Sequence, residues 1–169
     1  ATSTFAQGIS IDAGCFEGAD GNCLVNTTDT DTNNYGPTVI VAASNASNTA
    51  RAHFVADGTN DEEQIQAAID SLPSGGGTVL LTEGTFNLGT TTYASSSIYI
   101  SKNSVTLAGQ GSSTRLVLQQ ATGTLNMIHA IDASGLTIRD LHLEGQQAIQ
   151  GTVTHSGIHF ERTSTSTIE

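Results

Sequence analysis

Two short segments place a histidine and a glutamate on alternate residues of an apolar stretch. His142 and Glu144 lie in the first segment, and His159 and Glu161 lie in the second, one predicted repeat further along the chain. If the flanking apolar residues are buried, His142 stacks on His159 and Glu144 on Glu161. Such a group can bind Zn²⁺ or a similar metal, or act as acid and base on a sugar. The alternative is an ordinary solvated polar face, which strand alternation produces without any site.

An acidic segment near the N-terminus has the first three ligands of a calcium-binding loop. These are Asp29, Asp31 and Asn33, at alternate positions. The sixth position is Asn34 rather than glycine and the twelfth is Ile40 rather than glutamate, so an EF-hand is not predicted. Both an irregular Ca²⁺ site and a turn rich in Asp and Asn fit the segment. The sequence requires no cofactor, and Ca²⁺ is the ion that it suggests.

Other features of the chain predict an exported protein. Cys15 and Cys23 lie close together in a glycine-containing segment, which favours a disulfide; the alternative is two unpaired thiols. Asn26 and Asn45 each begin an N-glycosylation sequon, although a chain rich in Ser and Thr produces such sequons by chance. The first residue is alanine, which fits trimming or removal of a signal peptide. We expect an extracellular or cell-surface location.

The charge balance narrows the classes of partner. Acidic residues number 16 and Lys plus Arg number 5, for a net charge of −11. Such a surface repels phosphate backbones, so nucleic acid is not an expected partner. No apolar run reaches membrane-spanning length. The expected partners are a polysaccharide or further copies of the chain, with the chain acting as a homo-oligomer or as part of a larger protein.

One helix is predicted, over residues 61–72. Asn60 or Asp61 can cap its first turn, with Glu63 or Gln64 as the reciprocal partner of a capping box. Apolar residues at helical spacing form one stripe: Ile65, Ala68, Ile69 and Leu72. A proline and three glycines then end the helix. The preceding segment divides into an irregular part, residues 1–37, and a strand that opens the unit 38–77.

Short strands separated by Gly, Ser, Thr and Asn follow, over residues 78–169. Their apolar residues recur in two interleaved series with a repeat of about 18 residues, or two strands per repeat. A coil that climbs by one strand spacing per repeat keeps such series in step. We therefore predict an all-β chain: a right-handed parallel β-helix of about four coils, with the helix covering one open end. A β-sandwich is the structural alternative. The strands are expected at Thr38–Ala43, Thr78–Leu81, Thr85–Leu88, Ser97–Ile100, Val105–Leu107, Arg115–Leu118, Leu136–Ile138, Leu141–Leu143 and Ile158–Phe160.

Several motifs in this order resemble a known family. They are DGTND at 57–61, IQAAID at 65–70, GGGTVLL at 75–81 and EGTF at 83–86, followed by LTIRDLHLEG at 136–145. Together they resemble the opening of the pectate-lyase-like parallel β-helix superfamily. The resemblance implies the β-helix fold and a role on polysaccharides. Its members include lyases, hydrolases, tailspikes and non-catalytic surface proteins, and their catalytic residues lie on later coils, so none carries over to this chain.

Two functions follow as hypotheses. The first is an extracellular module that binds a polysaccharide along its outer faces, within a lyase-like or tailspike-like protein. Whether the chain is an enzyme stays open; as a lyase or hydrolase it would use His142, Glu144, His159 and Glu161. The second is a structural subunit of a filament or surface layer, assembled end to end or by strand addition.

Overall fold

The computed structural model describes residues 37–89, 95–119, 125–145 and 155–169. These residues lie in a compact unit that spans Tyr35–Glu169. The expected disulfide, the expected Ca²⁺ ligands and one of the two sequons lie outside the described residues: Cys15, Cys23, Asp29, Asp31, Asn33 and Asn26.

The described part contains one α-helix and twelve mostly short strands, so the prediction of a mostly β chain with one helix is confirmed. The helix, α1, spans Glu62–Ser71. The strands are β1 (Thr38–Ala42), β2 (Phe54–Val55), β3 (Gly77–Leu81), β4 (Gly84–Leu88), β5 (Ser96–Ile100), β6 (Val105–Ala108), β7 (Thr114–Leu118), β8 (Leu125–Ile131), β9 (Thr137–Arg139), β10 (His142–Glu144), β11 (His155–Glu161) and β12 (Thr167–Ile168). The sequence analysis leaves three of these strands unassigned: β8, whose segment is ambiguous in the sequence, and the two-residue strands β2 and β12, which are too short to carry an alternating pattern.

The strands form three sheets, and every strand pair in them is parallel. Sheet 1 has the order β12-β9-β6-β3-β1-β2, sheet 2 has β10-β7-β4, and sheet 3 has β11-β8-β5. From β3 onward the chain visits sheets 1, 2 and 3 in the same order three times and then returns to sheet 1 with β12. Each strand therefore pairs with the third strand after it, as parallel strands with long connections require. We call this spacing the three-strand repeat.

The three-strand repeat differs from the repeat that the sequence predicts. Thr85 pairs with Arg115, Tyr99 with His129, and His129 with His159. The prediction of two strands per repeat is therefore wrong, and so is the shorter repeat length derived from it. The apolar pattern of the sequence recurs near the second strand as well as at the third. Backbone pairing selects the third.

Apolar side chains line up across successive strands and form the core. In sheet 1, Val79 pairs with Leu107, Leu107 with Ile138, and Ile138 with Ile168. The first three are at most 2 % exposed, whereas Ile168 on the last strand is 56 % exposed. The same cluster takes in the inward residues of sheets 2 and 3: Phe86, Leu88, Leu116, Leu118, Ile98, Ile100, Ile128 and Ala130. One continuous core thus runs from α1 towards the last strands.

The helix is confirmed, but its cap differs from the expected one. The apolar stripe is buried, as predicted: Ile65, Ala68, Ile69 and Leu72. Asp61 is the N-cap residue and makes no side-chain cap bond, so the capping-box prediction is wrong. Its carboxylate instead accepts hydrogen bonds from the backbone N–H of Gly58 (2.8 Å) and of Asn87 (2.7 Å). Burial raises the pKa of Asp61, against the lowering effect of those two bonds.

Polar side chains of α1 pair with the backbone at the first edges of sheets 2 and 3. Gln66 accepts from the Tyr99 N–H (2.9 Å) and donates to the Tyr99 carbonyl (3.0 Å). Glu62 accepts from the N–H of Gly89, directly after β4 (2.7 Å). Lys102 donates to three carbonyls in and just after the last turn of α1. The helix therefore supplies the hydrogen bonds that an additional strand would otherwise make.

Left-handed residues form the corner between sheet 3 and sheet 1. Ser104, Gly135 and Thr165 have φ values of 55°, 67° and 49°, and they recur once in each three-strand repeat. Asp132 and Arg162, with φ of 51° and 49°, form a second such row just before them. Because non-glycine residues rarely adopt this conformation, their recurrence in register gives the same sharp bend in each three-strand repeat.

No helix in the described part is long and apolar enough to cross a membrane.

Candidate functional site

A row of polar side chains crosses sheet 3 on the side away from the core. Tyr99, His129 and His159 occupy paired positions on β5, β8 and β11, between residues that belong to the core. Asn126 and Glu161 contact this row at its two sides. We call these five side chains the histidine ladder. Parallel strands lie about 4.8 Å apart, so in-register side chains on one face must touch.

The rings of the ladder contact one another directly. Tyr99 meets His129 edge to face, with ring centroids 5.8 Å apart. His129 and His159 are stacked, with centroids 4.9 Å apart and planes only 7° from parallel. Both arrangements are favoured geometries for ring pairs. Whereas the His129 side chain is 11 % exposed, His159 lies on the last strand of sheet 3 and is exposed. The ladder therefore has a buried middle and an accessible end.

Asn126 fixes the hydrogen-bonding state of the accessible imidazole. Its amide nitrogen lies 3.2 Å from Nδ1 of His159. An amide N–H can only donate, so Nδ1 accepts and the proton of the neutral ring lies on Nε2. His159 thus presents an N–H donor on its other edge. Asn126 and His159 together offer uncharged hydrogen-bonding groups on the outer face of sheet 3.

Glu161 links the buried imidazole to the corner of the sheet. Its Oε2 lies 3.3 Å from Nε2 of His129, and its Oε1 contacts the Arg162 guanidinium. The Nε2 atom is buried and makes no hydrogen bond within the described residues. An imidazole beside a carboxylate is a pair that can hold or move a proton. The ladder therefore contains one such pair, His129 and Glu161, below its exposed end.

The corner row holds a strong ion pair. Arg162 binds Asp132 through two parallel bonds, Nε to Oδ1 (2.6 Å) and Nη2 to Oδ2 (2.8 Å). These bonds from Arg162 lower the pKa of Asp132, and Asp132 in turn raises the pKa of Arg162. Because Arg162 also contacts Glu161, its guanidinium serves two carboxylates at once. The side chain is positioned by the protein's own acids.

The predicted stack of His142 on His159 and Glu144 on Glu161 is wrong. His142 pairs with Arg115 on sheet 2, and Glu144 forms an ion pair with Arg115 on the same sheet. His159 and Glu161 lie on sheet 3. The three-strand repeat separates residues that a two-strand repeat would superimpose. The structure therefore brings His159 and Glu161 into one site and leaves His142 and Glu144 in another place.

Sequence reasoning misses the true partner of His159. His129 has no informative spacing under the predicted repeat and reads as a surface or packed residue, yet it stacks on His159. A signal for it exists in the chain: IHAI at 128–131 and IHFE at 158–161 align at the offset of the strand pairing. The same offset joins Asp132 to Arg162. Only the three-strand repeat makes these matches visible.

The remaining predicted sites are distributed as follows. The described residues contain no group of three or more His, Cys, Asp and Glu side chains arranged to hold a metal ion. The described sequon residue, Asn45, is exposed, and its Oδ1 accepts from the N–H of Thr85 (2.9 Å). Ser47 of that sequon donates to Glu83 and thereby lowers the pKa of the Glu83 carboxyl. Glycosylation of Asn45 stays a prediction.

Comparisons with protein-family models, with curated proteins and with solved structures found no match to this chain.

Proposed function

We propose that the described strands form a right-handed parallel β-helix of the pectate-lyase-like type. Three observations support this proposal: the fixed order in which the chain visits three parallel sheets, the similar offset between paired strands from β3 onward, and the left-handed corners in register. The right-handed sense is supported by the strong preference of parallel crossover connections for that hand. The motifs at 57–61 and 75–81 are consistent with the family.

On this fold, the chain acts as an extracellular module that binds a polysaccharide along sheet 3. The observation that carries the proposal is the histidine ladder, because it aligns rings and uncharged polar groups across three consecutive strands. The face of His159 that is turned away from His129 can pack against a C–H face of a sugar, and the polar groups of His159 and Asn126 can hydrogen-bond to its hydroxyl groups. A ligand that follows the ladder crosses the strands and is therefore extended.

Catalysis on the bound glycan is a separate part of the proposal. His129 and Glu161 form an imidazole–carboxylate pair below the exposed end of the ladder, 3.3 Å apart. General acid–base work needs such a group within hydrogen-bond reach of the substrate proton. His159 lies beside this pair and presents its Nε2–H donor to a bound ligand. An assay for unsaturated or reducing ends, run on each polymer that binds, tests lyase and hydrolase activity together.

His159→Ala is expected to weaken glycan binding by about two- to tenfold, the effect of losing one hydrogen bond. The measurement is affinity electrophoresis or calorimetry on a panel of neutral polysaccharides and uronate polymers. His142→Ala is the matched control, since this histidine lies on sheet 2 and should leave affinity unchanged. Equal effects of the two variants would contradict a site on the ladder, and binding to no polymer would reject the function.

A second candidate, a self-assembling structural subunit, is favoured by one observation at the end of the core away from α1. Ile168 is 56 % exposed there, and Leu143, Ile158 and Phe160 are only partly buried. The strands β10, β11 and β12 each have one edge without a described partner strand. Such edges and apolar side chains can pair with a second copy of the chain. At the opposite end, side chains of α1 already hydrogen-bond to the backbone of β5 and of Gly89, directly after β4. Two copies would therefore meet through the edges of β10, β11 and β12.

Assembly of this kind predicts a dimer in solution at micromolar concentration. Sedimentation velocity measures it directly, and Ile168→Lys is expected to shift the population to monomer by placing a charge in the contact. Val55→Lys, at the other exposed large apolar residue of the described part, is the matched control and should leave the dimer intact. A monomer at every concentration would reject this candidate.

A further inference from the structure

The basic residues of this chain have known positions, because all five lie in the described part. Four of them are committed to oxygen atoms of the protein. Arg115 pairs with Glu144, Arg139 with Asp140, and Arg162 with Asp132 and Glu161, whereas Lys102 donates to carbonyls of α1 and the residue after it. The fifth, Arg51, lies in the connection between β1 and β2 and belongs to no part of sheet 3. The positive charges are thus largely neutralised inside the chain.

Arg162 is the basic residue that lies next to the histidine ladder, and it is the most fully occupied of the five. Nε and Nη2 of its guanidinium bind the two carboxylate oxygens of Asp132, and Nη1 contacts Glu161. A ligand carboxylate would have to displace one of these acids or add a third negative charge. Arg162, Asp132 and Glu161 together carry one net negative charge. The net charge of −11 for the whole chain also repels a ligand carboxylate.

At its accessible end the ladder offers the uncharged groups of Asn126 and His159, and its carboxylate, Glu161, is already in contact with Arg162 and His129. Asn126 has an amide, and His159 offers an N–H while its Nδ1 accepts from that amide. Such groups bind hydroxyls, which donate and accept, without a charged partner. Recognition of carboxylates normally relies on the bidentate guanidinium that is occupied here.

We infer that the ligand of the histidine ladder is a neutral polysaccharide rather than a polyuronate. This inference rests on the proposed glycan-binding function and narrows it to one chemical class. It also excludes direct salt bridges between the ladder and an acidic sugar. The remaining route for an acidic glycan would be a bridging divalent cation, which the test must separate.

The test compares neutral glucans, xylans and galactans with polygalacturonate and alginate, each in EDTA and each in millimolar Ca²⁺. We expect at least one neutral polymer to bind in EDTA and both polyuronates to bind at least tenfold more weakly in either condition. Equal or tighter binding of a polyuronate, with or without Ca²⁺, overturns the inference and keeps the glycan-binding function. Binding of no polymer overturns both.

Asp132→Asn tests the cause of the selectivity. Asparagine tolerates the left-handed φ of 51° at this position, so the corner should persist. Because Arg162 is then left with Glu161 alone, affinity for polygalacturonate is expected to rise by about two- to fivefold, the usual range for an exposed ion pair. Asp140→Asn is the matched control, with φ of 56°, an arginine partner and the same change in net charge. An equal response of both variants would contradict the role of the occupied Arg162.

Discussion

Phe86→Ala is expected to lower the free energy of unfolding by about 3–5 kcal/mol, the usual cost of truncating a buried aromatic residue. Phe86 on β4 is completely buried and pairs with Leu116 on β7, which in turn pairs with Leu143 on β10. Removing the ring leaves a cavity between successive strands, and flanking residues held by backbone pairing have little freedom to fill it. Urea denaturation followed by circular dichroism measures the loss.

Two further variants keep this prediction testable if the alanine variant does not fold. Phe86→Leu removes less volume and is expected to lower the free energy of unfolding by about 1–2 kcal/mol. Val55→Ala, at a side chain that is 50 % exposed, should change it by less than about 0.5 kcal/mol. A loss below about 1 kcal/mol for Phe86→Ala would show that sheet 2 does not pack against the common core.

Gln66→Ala is expected to lower the free energy of unfolding by about 2–4 kcal/mol. The Gln66 side chain makes two hydrogen bonds to the backbone of Tyr99, and it is only 5 % exposed. Truncation leaves a buried N–H and a buried C=O unpaired, at a cost of about 1–3 kcal/mol each, reduced where water can enter. The amide hydrogen of Tyr99 should also exchange faster, which separates loss of these bonds from a general destabilisation.

Gln64→Ala provides the control for this result. It is the same substitution in the same helix, at a residue whose Oε1 accepts no hydrogen bond from the described residues. Its free energy of unfolding should change by less than about 0.5 kcal/mol, since alanine also favours the helix. Equal losses for the two variants would mean that α1 stabilises the fold through its apolar stripe alone and that its polar pairing with β5 contributes little.

The result expected for Gln66→Ala concerns the candidate site directly, because Tyr99 is also the first ring of the histidine ladder. Gln66 holds the backbone of Tyr99 on one side, and His129 contacts its ring on the other. Loss of the helix contact should therefore loosen the ladder at its Tyr99 end. The edge that α1 covers and the surface proposed to bind glycan are parts of one sheet.

Local elements are accessible from the sequence. The helix over 61–72 is predictable because its apolar stripe and its proline and glycine end are local signals. Most strands from Gly77 to Glu161 follow from β-branched residues between turn residues, whereas β8 is not assigned from the sequence. The helix cap is not predictable from local sequence, since the Asp61 carboxylate accepts its hydrogen bonds from the N–H groups of Gly58 and of Asn87, which lies on a distant strand. The sequence shows an acidic residue at the start of a helix, but it does not show which backbone N–H groups its carboxylate accepts from.

The chain by itself determined which residues are apolar, where most of the strands lie and that His159 and Glu161 lie two apart on one strand. The tertiary structure decided which strands are neighbours. The apolar pattern recurs near the second strand as well as at the third, so the pattern alone does not select between these two pairings. The backbone visits three parallel sheets in a fixed order, and the resulting three-strand repeat sets His129 against His159 and Arg162 against Asp132, while His142 goes to another sheet. The spacing of apolar residues indicates which side chains are buried, whereas the hydrogen-bonded register between strands determines which polar side chains contact one another.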